Sequence, residues 1–185
     1  MTSLATVPDP TLSEAIEAHL LTRGGIELRV RPVTENDADI VNRFFDNLTD
    51  DDMMFRFLSG QPHLSSAQLA AMIGVDHRHR EHLLAFDVET GKLVASLLIA
   101  ADEAFVSAEV AIAVAPAYKT RGVGWTLLHH AVELARSRGL KTLRSIESRA
   151  NRGAMEVERT LGFRASDYDG DATLALLELD LTQPA

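Results

Sequence analysis

The sequence predicts an α/β protein built on a mixed, mostly antiparallel sheet of six to seven strands flanked by helices. Three observations carry this. Short apolar runs bounded by turn residues recur along the chain, three of them in succession between Leu83 and Val114, the pattern of antiparallel hairpins. The last of these runs passes through a glycine turn into a long amphipathic helix that ends near Arg138 and Gly139, and a strand–helix–strand unit calls for a parallel pairing. The full order reads β-α-α-α-β-β-β-α-β-α-β-β, which places helices over the faces of a mixed sheet.

Residues 1–25 form an N-terminal extension with Pro8 and Pro10, then a helical stripe of Leu12, Ile16, Leu20 and Leu21 over Leu12 to Thr22, stopped by Gly24-Gly25. The domain proper is expected over 26–183. Ile26 to Arg31 alternates apolar and charged residues and ends at Pro32, which reads as an edge strand. Thr34-Glu-Asn-Asp-Ala-Asp opens a helix with acidic residues in its first turn, and Ile40, Val41, Phe44, Phe45 and Leu48 form its apolar face. Two shorter helices follow, Asp50 to Leu58 and Ser65 to Ile73. Asp50-Asp51-Asp52 reads as a solvated helix start, with attraction of a cationic substrate as the alternative.

His77-Arg-His-Arg-Glu-His82 holds three histidines. In a strand His77 and His79 share a face that His82 does not, and no known ligand spacing is completed. The segment therefore reads as a solvated polar loop, and no metal is expected. Leu83 to Val88 and Leu93 to Ile99 form a hairpin around Gly91, and Ala104 to Val114 is the next strand. After the long helix come a strand from Thr142 to Ser148, a helix from Asn151 to Leu161, and a closing pair, Phe163 to Tyr168 and Ala172 to Leu181, split by Asp169-Gly-Asp.

Composition narrows the function. A chain of 185 residues, 46% of them apolar, is the size of one domain with a proper core. A net charge of −9 argues against nucleic-acid binding, which needs clustered cations, and permits a basic protein partner or a cationic substrate. The absence of cysteine excludes disulfides and thiolate chemistry. No membrane span or secretion signal is read, and the lack of cysteine is consistent with a reducing cytoplasm; a cytoplasmic location and a monomer or homodimer are the expectations.

The chemistry centres on Val114-Ala-Pro-Ala-Tyr-Lys-Thr-Arg-Gly-Val-Gly124. Pro116 ends the strand, Gly122 and Gly124 let the backbone turn sharply and approach a ligand, and a helix begins at once. Free N–H groups at such a helix start favour an anion, phosphate above all. The dinucleotide fingerprint is not met, because Leu127 stands where its third glycine belongs, and no Gly-Lys-Ser/Thr follows for a P-loop.

The string Val-x-Pro-x-x-Lys-x-Arg-Gly-x-Gly resembles the coenzyme A pyrophosphate loop of GNAT acetyltransferases, usually Gln/Arg-x-x-Gly-x-Gly/Ala, with Lys119 in the first position. The order of elements is also the GNAT order. Asn151-Arg-Gly-Ala-Met-Glu-Val-Glu-Arg-Thr-Leu-Gly-Phe163 is similar to the family's Asn-x-x-Ala…Gly-Phe segment. Seven residues after this asparagine the family often carries a tyrosine that protonates the departing thiolate. Glu158 stands there instead, which leaves Tyr118, Tyr168 or water. Arg31-Pro-Val-Thr-Glu-Asn-Asp-Ala, Asp52-Met-Met-Phe-Arg-Phe and Ala108-Glu-Val-Ala-Ile-Ala-Val resemble the GNAT domain of bacterial Pat-type protein lysine acetyltransferases, over about Ile26 to Leu181.

The resemblance implies acetyl-CoA as cosubstrate, no metal, and Glu109 as general base. Strand logic singles out the same residue, since Glu109 is a lone carboxylate in a row otherwise made of Phe105, Ser107, Ala111 and Ala113. Exposure on an edge strand is its alternative reading. By the same resemblance Ile112, Ala113 and Val114 meet the pantetheine arm, and Lys119, Thr120, Arg121, Gly122, Val123, Gly124 and Trp125 surround the pyrophosphate. Asn151 bonds the pantetheine, caps the last helix, or does both. The acceptor implied is a protein lysine, possible targets including an acyl-CoA synthetase. A small amine is the alternative acceptor, and a non-catalytic acyl-CoA sensor is the alternative to catalysis.

Overall fold

The alternating runs become strands of one sheet. The structure, a computed structural model, describes residues 17–183. Among them are eight strands: β1 (Ala18–Leu21), β2 (Glu27–Pro32), β3 (Arg80–Asp87), β4 (Leu93–Ala101), β5 (Ser107–Val114), β6 (Thr142–Ser148), β7 (Arg164–Tyr168) and β8 (Asp171–Asp180). They lie in the order β1-β2-β3-β4-β5-β6-β8-β7. Every neighbouring pair is antiparallel except β5 and β6. The five α-helices are α1 (Ala38–Asp46), α2 (Asp50–Phe57), α3 (Ser66–Ile73), α4 (Val123–Ser137) and α5 (Arg152–Thr160).

Side-chain alternation along the central strands divides the core in two. Leu28, Leu83, Leu97, Val110 and Leu143 pack with Leu127, Ala131 and Met155 on the face covered by α4 and α5. Leu84, Phe86 and Ala113 pack with Val41, Phe45, Met53 and Met72 on the face covered by α1, α2 and α3. Phe45 is fully buried and meets Phe44 edge-on at 5.1 Å and Phe57 at 5.6 Å. Each fully buried side chain of this kind stabilises the fold by about 1.5–3 kcal/mol. A strand buried on both faces is apolar at successive positions, which explains Leu83-Leu-Ala-Phe.

Several expectations change. The helix over Leu12 to Thr22 lies partly outside the described residues, and its remainder is the strand β1, paired with β2 from Ala18↔Val30 to Leu21↔Glu27. Gly24-Gly25 is a hairpin turn rather than a helix stop: Gly25 has φ +78° and its N–H bonds Thr22 O at 2.9 Å. Leu20 gains burial by covering an otherwise open sheet edge, and this outweighs the helical spacing. Among the described residues the sheet therefore has eight strands, and β2 is not an edge.

The segment His77 to His82 is not all solvated loop, because β3 begins at Arg80 and both Glu81 and His82 are completely buried. Glu81 is held by Arg138 at 3.2 Å and His77 at 2.9 Å, and His82 by Met72 O and the Ser96 hydroxyl, both at 2.8 Å. Partners distant in sequence make that burial tolerable. Lastly, Ala104 to Val106 precede β5. The Asp102 carboxylate accepts bonds from the N–H groups of Val106 and Ser107 at 2.9 and 3.0 Å, and Phe105 takes φ +55°, so a turn occupies those residues.

Candidate active site

The parallel pairing of β5 with β6 spans only Ser107↔Thr142, Ala108↔Leu143 and Glu109↔Arg144. Beyond Glu109 both strands continue, β5 held by β4 as far as Val114 and β6 by β8 as far as Ser148. They diverge, and a split opens between them. Backbone groups in a strand point alternately to its two sides. Ala115 N–H donates to Val94 O on the β4 side and Val106 O accepts from Lys141 N–H on the β6 side. It follows that the peptide groups of Ile112 and Val114 face into the split, and those of Ala111 and Ala113 face β4. By the same alternation Arg149 N–H, bonded to Thr173 O, leaves Ile146 and Ser148 facing the split from β6.

The mouth of the split is the glycine turn. Gly122 is the N-cap of α4 at φ +83°, with no side chain capping it. The first intrahelical bond runs from Thr126 N–H to Gly122 O, so the N–H groups of Val123, Gly124 and Trp125 have no helical partner. Thr120 also sits at positive φ, +58°, which is costly for a β-branched residue. The β1–β2 hairpin braces the turn from behind: a Cβ on Gly24 would lie 2.5 Å from Arg121 O, and one on Gly122 would lie 3.2 Å from Arg23 N.

Two cations sit at this mouth in different states. Lys119 pairs its ammonium with Asp52, a nearly buried residue on α2. Asp52 is thus no solvated helix start, although Asp50 and Asp51 are exposed. Arg121 is exposed and lies 5.4 Å over the Tyr118 ring. Trp125 packs against the Arg23 guanidinium, 3.8 Å from its ring centre, and stacks on His129 at 5.1 Å.

The closed end of the split is crowded with charge. Glu109, half-buried, occupies the last paired position of β5 and shares the face of Ala113, that of α1 to α3. From α2, Arg56 feels both Glu109 and Glu147, and its Nε is buried without a hydrogen-bond partner. Burial pushes this guanidinium down to about 10, against the pull of the two carboxylates. On the opposite face Glu158 of α5 is 4% exposed. One of its oxygens accepts from the Ser145 hydroxyl, and the other, Oε2, has no partner. Asn151 caps α5 through Oδ1, 3.4 Å from Ala154 N, and donates from Nδ2 to Glu147 at 2.9 Å.

Burial, and the charge of Glu158 beside it, raise Glu147 to about 8. Burial raises Glu158 to about 7, opposed by the Ser145 hydroxyl and Arg159. Neither carboxyl was singled out by sequence reasoning as buried, although Glu158 falls in a helical stripe with Met155 and Leu161 that foretells it. The two tyrosines serve elsewhere. Tyr118 donates its hydroxyl to Asp87 at 2.7 Å, and Tyr168 lies on β7, two strands beyond β6. Among the described residues no group of three His, Cys, Asp or Glu side chains is placed to hold a metal, and no helix is long and apolar enough to cross a membrane.

The profile of the acetyltransferase (GNAT) family matches residues 43–163. The chain is similar to the GNAT domain of S. lividans PAT, with 28% identity and a TM-score of 0.81 over 89% of this chain and 96% of that one. It is 26% identical over 161 residues to the acetyltransferase PA5475 of Pseudomonas aeruginosa, covering 85% of this chain and 86% of that protein. The spermidine N-acetyltransferase of Vibrio cholerae, solved in complex with CoA and spermine, shares the fold at a TM-score of 0.69 with 15% identity, over 84% of this chain and 96% of that one.

The two raised carboxyls link stability to pH. Between pH 6.5 and 8.5 they hold protons in the folded chain that an unfolded glutamate has already released, so stability falls as pH rises through this window. The loss expected for the pair is about 2–3 kcal/mol, several degrees of melting temperature. His82, held down to about 4 by burial, acts in the opposite direction only below about pH 6.5. The double variant Glu147→Gln, Glu158→Gln should flatten the decline above pH 6.5. An unchanged slope in thermal melts would contradict the buried placement of the pair.

Proposed function

The chain belongs to the GNAT acetyltransferase family, an acyltransferase using acetyl-CoA, and from this premise we propose that it acetylates lysine side chains of proteins with Glu109 as general base. The observation that carries the reading is the half-open β5–β6 pairing, with the glycine turn at its mouth and Glu109 at its closed end. A pantetheine arm is an extended amide chain, and the inward peptide groups of Ile112 and Val114 suit it as a strand edge suits a peptide. The N–H groups of Val123, Gly124 and Trp125 offer a diphosphate the donors that an uncapped helix start leaves free. Arg121 supplies the cation there. A contact from Lys119 competes with Asp52, and Asn151 has one Nδ2 hydrogen beyond its bond to Glu147.

The distance along the strand fits this division of labour. From Val114 to Val110 β5 runs roughly 13 Å, at about 3.3 Å per residue, which separates the phosphate end of the ligand from its reacting end. Glu109 then receives the proton of the attacking amine, directly or through a water. A lysine near a pKa of ~10.4 needs that help at neutral pH. Arg56 attracts both Glu109 and Glu147 electrostatically. Support for a protein acceptor comes from the Pat-like strings in Ala108 to Gly124 and Asp52 to Phe57, and from the likeness to the S. lividans domain. The exposed Asp50 and Asp51 suit a cationic acceptor of either kind.

Glu109→Gln keeps the side-chain shape and removes the proton acceptor. A fall in kcat of about 10²–10⁴ is expected, with acetyl-CoA affinity unchanged in calorimetry. Near-normal turnover would end the assignment of Glu109. The acceptor is tested by incubating a lysate with labelled acetyl-CoA, with and without the enzyme, and locating the label by mass spectrometry. Enzyme-dependent acetyl-lysine in protein is expected. Label found only in a small amine would transfer the reading to that class of acceptor, and binding without transfer of any label would leave an acyl-CoA sensor.

A further inference from the structure

Glu158 is a buried carboxyl with no part in the proton transfer to Glu109. The Ser145 hydroxyl that donates to its Oε1 belongs to the first residue of β6 beyond the paired positions. Glu158 therefore stands at the closed end of the split. It reaches that point from the α4–α5 face, whereas Glu109 reaches it from the face of α1 to α3. Its Oε2 is buried and has no hydrogen-bond partner, a state that is costly for a carboxylate and lighter for a carboxyl group waiting to donate. The alternative donors are engaged, Tyr118 with Asp87, or distant, Tyr168 on β7.

We propose that the Glu158 carboxyl is the acid that protonates the sulfur released when the acetyl thioester is cleaved. The inference rests on the acetyl transfer described above. The amine nitrogen forms its bond to the acetyl carbonyl carbon, and its proton passes to Glu109. The carbon–sulfur bond breaks with its electron pair going to sulfur, and sulfur takes the proton of Glu158. Glu158 is left as a carboxylate and is reprotonated from solvent before the next turnover. The two carboxyls thus serve opposite faces of the split, one removing a proton from the entering group and the other giving one to the departing group. The charged group acting on Glu158 is Arg159 from its own helix, while Glu158 itself and Arg56 act on the neighbouring Glu147 of β6. Burial keeps the carboxyl protonated up to about pH 7.

The test is kcat against pH for wild type, Glu158→Gln, Ser145→Ala and Glu147→Gln, with labelled acetyl-CoA as donor and unfractionated lysate, proteins and small amines together, as acceptor. Wild type should lose activity on the alkaline side as Glu158 gives up its proton. Glu158→Gln should be slower by about 10²–10⁴, should bind acetyl-CoA with the same affinity in calorimetry, and should have no alkaline limb. Ser145→Ala removes a donor that favours the carboxylate, so its limb should move to higher pH. Glu147→Gln should keep a limb, because the donor is still present.

Normal turnover in Glu158→Gln, or slow turnover with the alkaline limb intact, would overturn the proposal, the second outcome showing damage to structure alone. If Glu158→Gln fails to fold, an unshifted limb in Ser145→Ala overturns it. Loss of the limb in Glu147→Gln with its retention in Glu158→Gln would give the role to the other carboxyl. Failure of the wild type itself to bind acetyl-CoA or to transfer any label would instead defeat the acetyl-transfer reading on which the proposal stands.

Discussion

The rest of the structure depends on one incomplete pairing. β5 and β6 join in parallel for three residues and then separate, each kept straight by the neighbour on its other side. Interior peptide groups ordinarily find partners within the sheet. Here a row of them is left facing a gap, and the gap ends at a helix start that is also uncapped. Two unsatisfied features meet at one place, and each is expensive unless a ligand or solvent completes it. That shared need is what makes the split the place proposed for the coenzyme.

Charge follows the same geometry. Sheet pairing up to Glu109↔Arg144 closes the inner end of the gap, and buried or half-buried carboxyls gather there from both faces. Arg56 lies among them with its Nε shut away from solvent, so the cluster is partly neutralised and not simply acidic. At the outer end the balance differs. Lys119 is tied to Asp52, which joins α2 to the glycine turn, and Arg121 remains exposed. The β1–β2 hairpin backs the same turn through the close approach of Gly24 to Arg121. Two segments remote in sequence therefore hold the loop that carries the free N–H groups.

Much of this was legible in the sequence, because local rules govern it. The glycine turn, the amphipathic α4 and the hairpin at Gly91 depend on φ preferences and on periodicity, and they stand where expected. Glu109 was visible as an odd carboxylate in an apolar row. What escaped depends on partners far away in the chain. Ala18 to Leu21 has helical spacing, and an open sheet edge made it a strand. Glu81 and His82 look like loop residues until Arg138, Met72 and Ser96 are brought to them. Asp52 belongs to a charge run that reads as solvated, and only the fold delivers Lys119 to it. Glu147 and Glu158 owe their raised affinity for protons to burial, which the helical stripe of Met155 and Leu161 foreshadows for Glu158 alone.

The central claim, that the split is a row of unmet peptide groups awaiting the coenzyme, is tested most directly by amide hydrogen exchange read residue by residue. Without ligand the N–H groups of Ile112 and Val114 should exchange faster than those of Ala111 and Ala113, which are bonded to β4. Saturating CoA should slow Ile112 and Val114 by at least about tenfold and leave Ala111 and Ala113 little changed. Equal protection of all four amides without ligand, unaltered by CoA, would contradict the account.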